Sequence, residues 1–206
     1  MHELLYLFSH TEIFIFVFME IVSRLDVTRR MIQKRATRID KTVIIMLFGA
    51  FSIFGTYIGF ELPSGAFSNI RDFGPMVAGL IGGPWVGLGA GLIGGVHRFF
   101  YGGFTAIPCG LATICAGLIC GLICYSRKGR LINIYQAVLL VIGVETLHAM
   151  LVWIIARPLD AALDATKEAI PAMIIANGLG LVIAILLLQY HYERKEIGGT
   201  ESEPKD

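Results

Sequence analysis

Between Asn69 and Cys124 the chain is apolar enough to lie in a bilayer, yet it carries Arg71, Asp72, His97 and Arg98 and is broken at Pro75, Gly82-Gly83-Pro84 and Gly102-Gly103. No other stretch constrains the fold as strongly. Hydrocarbon offers no water to backbone groups freed by a break, so such breaks survive only where the protein supplies the partners. Ionisable side chains and interrupted helices together at membrane depth mark a binding site. The stretch therefore points to a polytopic membrane protein with a small-ligand site in this region.

The remainder of the chain agrees. Of its 206 residues 55% are hydrophobic and only 16% charged, which excludes an ordinary soluble domain. A net charge of +1 gives no electrostatic case for nucleic acid. Cys109, Cys115, Cys120 and Cys124 all lie in one apolar stretch without a Cys-x-x-Cys pair. That pattern indicates neither zinc nor a disulfide framework, and small packing residues are the plainer reading. There is no HExxH, no P-loop and no ordered nucleophile triad, so no enzyme, cofactor or metal is expected.

Apolar runs at 4–23, 42–60, 105–125, 133–156 and 170–190 predict membrane helices. The fold class is an all-α polytopic bundle of five to six transmembrane helices. The run 4–23 is followed by a basic segment, 24–41, and not by a cleavage site, so it reads as a retained helix. Residues 1–41 thus form a first helix and basic cytoplasmic loop, 42–190 the membrane receptor region, and 191–206 a polar cytoplasmic tail. A second basic loop follows Ser126.

Segment 74–96 allows two readings. Gly79, Gly83, Gly87, Gly91 and Gly95 recur every fourth residue, a ridge that lets another helix approach closely. Pro84, however, breaks a straight helix at mid-membrane, and two short half-helices folding back at Gly82-Gly83-Pro84 also fit. If the segment crossed, the two basic loops would lie on opposite faces, against the cytoplasmic bias of Lys and Arg. The fold-back is preferred, with the amino terminus outside.

Arg71 and Arg98 bracket this segment. Each presents a planar fork suited to a carboxylate or phosphate; the plainer alternative is snorkelling to the interface. Thr105 is a plausible cap for the next helix. The N–H groups near Cys109 to Leu111 then offer an anion site at its positive end, with the Cys109 thiol as weak donor, nucleophile or mere filler. Glu145 and His148 lie one turn apart, and Asn177 sits in the last helix. Structural pairing among them is the preferred reading over a proton relay.

The residues Asn69, Arg71, Gly82-Gly83-Pro84, Gly87, Gly94, Gly95, His97, Arg98, Gly102, Gly103, Thr105, Ala106 and Cys109 together resemble the LytS/YhcK-type five-transmembrane receptor domain. Ala156-Arg157-Pro158 and Asn177 extend the likeness, which spans roughly residues 40–190. The resemblance implies the input half of a bacterial sensor kinase or cyclase in a cell membrane, signalling to a cytoplasmic partner or fused effector. Some such receptors respond to extracellular pyruvate through two arginines, a cysteine and a nearby serine. Here those positions hold Arg71, Arg98, Cys109 and Ala112, with Thr113 beside the last. The ligand set implied is Asn69, Arg71, His97, Arg98, Cys109 and Thr113, for a small anionic metabolite. After residue 190 no kinase or cyclase sequence is present. A homodimer, a transporter's substrate-binding component and a non-binding membrane anchor stay open as alternatives.

Overall fold

The computed structural model describes residues 2–61 and 67–200. The middle of the turn-rich segment after the second helix and the last six residues of the tail lie outside the described residues. The chain runs through α1 (His2–Arg24), α2 (Asp26–Ile32) and α3 (Arg38–Tyr57) to a hairpin of β1 (Phe60–Glu61) and β2 (Phe67–Ser68). It continues through α4 (Phe73–Gly82), α5 (Pro84–Tyr101), α6 (Ala106–Ser126), α7 (Ile134–Ile155) and α8 (Leu159–Thr200). Four helices, α3, α6, α7 and the Leu159–Tyr192 part of α8, are long and apolar enough to cross a membrane. Large apolar side chains such as Ile39, Phe100, Tyr135 and Leu139 are exposed around the bundle, as a lipid-facing surface requires.

The break at Gly83 is where sequence dictates architecture. Its φ of 83° lies in the left-handed region open to glycine. Its N–H still closes α4 on the Gly79 carbonyl (2.8 Å). Pro84 then takes the first position of α5, where a missing N–H is no loss. Beyond the turn α5 doubles back along α4: a Cβ on Gly87 would stand 2.8 Å from the Gly79 Cα. In one continuous helix these residues would be about 12 Å apart.

The fold-back is thus the observed arrangement, with one correction: the two arms are unequal, 10 residues in α4 and 18 in α5. The tip of the hairpin reaches the end where α2 lies, since Gly82 abuts Met31. A Cβ on Gly129 would meet the Lys34 side chain at 2.8 Å, so both basic loops share one face. This face carries the excess of Lys and Arg expected of a cytoplasmic side, and the opposite end is the outer one on that expectation. Along α6 the glycines bring backbones together: a Cβ on Gly79 would lie 2.5 Å from the Gly117 carbonyl, and one on Gly95 2.5 Å from that of Gly110.

Three boundaries differ from the sequence reading. The second helix begins at Arg38 because Thr37 and Asp40 form a reciprocal capping box. The basic loop contains α2, whose Thr28 hydroxyl donates to the Val22 carbonyl (2.6 Å). The segment before residue 170 joins the last helix, so α8 has 42 residues with Pro171 inside it. The carbonyl that Pro171 leaves without a donor is that of Lys167, on an exposed turn where water can serve it.

Candidate functional site

From β2 the chain descends as the non-helical segment Asn69–Asp72 into the bundle, and α4 starts only there. The Asn69 side chain shapes the descent, its Oδ1 accepting the Arg71 N–H (3.1 Å). Arg71 and Asp72 arrive 1% and 0% exposed. Arg71 is therefore no snorkelling residue: its Nε donates to Thr113 Oγ1 on α6 (2.9 Å) and lies 3.9 Å from an Asp72 oxygen.

Asp72 is the hub of a buried polar floor. Its Oδ1 accepts the Thr113 hydroxyl (2.5 Å), and its Oδ2 lies 3.1 Å from His148 Nδ1 on α7. His148 Nδ1 is also 3.4 Å from a Glu145 oxygen. Glu145 in turn accepts from Asn177 Nδ2 on α8 (2.9 Å), which reaches the Asn69 carbonyl as well (3.4 Å). One connected set thus joins α4, α6, α7 and α8. Of the expected pairing of Glu145 with His148 or Asn177, the hydrogen bond is to Asn177, with His148 Nδ1 close by. Asp72, which the sequence reading left without a role, sits at its centre. Asp72, Glu145 and His148 each offer a possible metal-ligand atom, all within 4.8 Å of one another; Asp72 and His148 hold cross-helix contacts here, and Glu145 accepts from Asn177.

Above this floor lies a cavity of about 370 Å³ toward the outer end. Arg71, Asn69, Cys109 and His148 line its base, Arg98 and Thr105 one wall, and Thr166, Ala169 and Met173 of α8 the other. The loop Gly102-Gly103-Phe104 lies at the outer end of the cavity. Arg98 is held there by the Gly102 carbonyl and by Thr105 Oγ1 (3.0 Å), with its guanidinium 5.9 Å from the Tyr101 ring centroid. Cys109 lines the same cavity as Arg98 and His148. Arg71 keeps one buried guanidinium nitrogen, Nη2, without a hydrogen-bond partner. An unpaired charged donor at a cavity wall costs more than the roughly 1–3 kcal/mol of a neutral one, until an acceptor arrives.

Of the six residues singled out, four line one cavity: Asn69, Arg71, Arg98 and Cys109. Thr113 stands behind it, supporting Arg71. His97 is off the lining and contacts Tyr57, whose hydroxyl is 3.1 Å from its Nε2. The proposed N–H anion site also changes. Thr105 occupies the cap position of α6 but makes no side-chain cap bond. The Cys109 N–H already donates to the Thr105 carbonyl (3.0 Å), because α6 begins at Ala106 and Cys109 falls inside its first turn. The guanidinium groups, not the helix end, are the donors facing the cavity. The α8 wall was not foreseen. The small-residue pattern Ala162, Ala165, Ala169 and Ala172 was the signal available for it.

Comparison with known proteins bears on this geometry. The family described as 5TMR of 5TMR-LYT matches residues 25–191. The sensor protein LytS of Bacillus subtilis is 30% identical over 193 residues, covering 85% of this chain and 32% of that protein. The sensor histidine kinase BtsS of Escherichia coli is 31% identical over 153 residues, 72% of this chain and 27% of that protein. The sensor histidine kinase YpdA of the same organism is 36% identical over 101 residues, 48% of this chain and 18% of that protein. No solved structure matches. The chain spans about a third of the length of the first curated relatives.

Proposed function

The chain belongs to the 5TMR-LYT family of multi-pass membrane sensor domains, and we propose that its outer cavity receives a small carboxylate which Arg71 and Arg98 grip together. The observation that carries this reading is the unpaired Arg71 Nη2, buried at the base of a cavity that a second guanidinium, that of Arg98, also lines. A carboxylate supplies the missing acceptor and a charge-assisted pair with each arginine. The ligand is pyruvate-like in size and charge. Thr113 does not replace the serine of the resembling receptors, because its hydroxyl already serves Asp72. The hydroxyl proton of Thr105, whose oxygen accepts from Arg98, is the donor offered to a keto or hydroxy oxygen.

The output runs through α8. This helix lines the cavity with Thr166 and Met173 and continues unbroken to Thr200 at the cytoplasmic end. A ligand that binds one packing of α8 better than another shifts the balance by that difference in affinity. The relatives are named as sensors, which supports a cytoplasmic signalling partner. Thermal unfolding of the purified chain with pyruvate, lactate and related acids tests the reading. One or more acids should raise Tm, and Arg98→Ala should abolish the rise. A flat response across the panel would remove the proposal.

A further inference from the structure

The opposite end of the molecule carries a second pocket, independent of the outer one. We propose that this pocket, beneath the tip of the α4–α5 hairpin, seats the phosphate of an anionic phospholipid of the inner leaflet. It encloses about 800 Å³ between the two basic loops. Lys34, Lys41 and Lys128 line it, and no acidic side chain does. Of the neighbouring cations, Arg29 pairs with Asp26 at 2.9 Å and Arg30 with Asp40 at 2.5 Å. Among the described residues none of the three lysines has an ion pair, so the pocket is lined by positive charge that no acidic side chain offsets.

The backbone helps to gather it. Lys34 and Lys128 each adopt positive φ, 59° and 55°, a conformation uncommon for residues with a side chain. The Lys34 stem crosses Gly129, where a Cβ would intrude to 2.8 Å. The wall between the lysines is apolar, formed by Met31, Ile81 and Pro84. Trp85 and Tyr125 flank it, 80% and 75% exposed. These two residue types favour the headgroup level of a bilayer, and lysines just inside a membrane attract anionic lipid. A free phosphate would use the lysines alone; the aromatic rim and apolar wall are suited to a headgroup with its chains attached.

Native mass spectrometry of the full chain in neutral detergent tests this, with phosphatidylglycerol, phosphatidylcholine and inorganic phosphate as probes. Phosphatidylglycerol should be retained over phosphatidylcholine. Each of Lys34→Gln, Lys41→Gln and Lys128→Gln should weaken that preference about five-fold. Trp85→Ala should weaken lipid retention without changing any response to phosphate. For wild-type protein the preference should fall as salt rises, a readout that does not depend on how well a variant folds. Equal retention of the two lipids, or a preference indifferent to salt, overturns the proposal. Protection by inorganic phosphate equal to that by phosphatidylglycerol overturns it in favour of a soluble phosphate. Arg98→Ala should leave the lipid preference intact, so the two sites stand or fall separately.

Discussion

The two ends of α5 are packed on opposite terms. Along its inner part, Gly87, Gly91 and Gly95 press against the backbone of α6; a methyl group on Gly87 or Gly95 would overlap a carbonyl there, and one on Gly91 would crowd the Thr113 carbonyl at 3.0 Å. At its outer end, Arg98 and Tyr101 border a cavity. The seam is packed backbone to backbone with no room for rearrangement; the cavity end is roomy, carries a few charged and polar side chains among apolar ones, and is bordered by α8 with its small residues. The contrast teaches where a ligand can act. A packed glycine seam fixes α4, α5 and α6 as one rigid unit. Free energy from binding then falls on the contacts between that unit and α7 and α8.

Substitutions can break or sharpen this contrast. The largest effect is expected at the floor joining the two regimes: Asp72→Ala leaves Thr113 and His148 without their carboxylate partner and Arg71 without its counter-charge, and should cost about 3–5 kcal/mol. A denaturant titration returning near-wild-type stability would show that the floor is not structural. Next is the seam itself, where Gly87→Ala should lose about 1–3 kcal/mol by overpacking. Gly143 on α7 has open space around it, so Gly143→Ala should be neutral or gain up to about 1 kcal/mol. If both alanines behave alike in thermal unfolding, close packing is not what distinguishes the seam.

The cavity end should respond differently. Thr105→Val should leave folding nearly intact and weaken acid binding about five-fold, the worth of one ordinary hydrogen bond of about 1 kcal/mol. Isothermal titration separates the two effects; a loss of stability without a loss of affinity would place Thr105 in the packing instead. The smallest effect belongs to His97. It lies off the cavity against Tyr57, so His97→Ala should leave acid affinity within about two-fold. A larger loss in the same titration would return it to the site.

Much of this was legible in the chain. The spacing of glycines and the position of Pro84 pointed to a fold-back, and the charge of the two loops chose between the alternatives. Arg71 and Arg98 stood out because a guanidinium in an apolar stretch needs a reason. What stayed hidden depended on partners distant in sequence. Asp72 needs Thr113 and His148, which lie 41 and 76 residues away. The depth of Arg71 needs the non-helical descent from β2, where no periodicity exists to be read. The free N–H groups expected near Cys109 to Leu111 are absent at Cys109, whose N–H is already taken by the Thr105 carbonyl because α6 starts at Ala106. The helix start at Arg38 was readable from Thr37 and Asp40, and the length of α8 was masked by Pro171.

The central claim is that Arg71 and Arg98 hold a small carboxylate against Cys109. The rate of Cys109 alkylation by a small charged reagent, resolved by peptide mass spectrometry with and without the acid, tests it most directly. Cys109 is partly exposed at the cavity base, whereas Cys120 is buried and serves as an internal reference. The account predicts that a bound acid slows Cys109 modification in the wild-type chain and has no effect in Arg98→Ala. Modification at the same rate with saturating acid, or equal protection in both proteins, would contradict it.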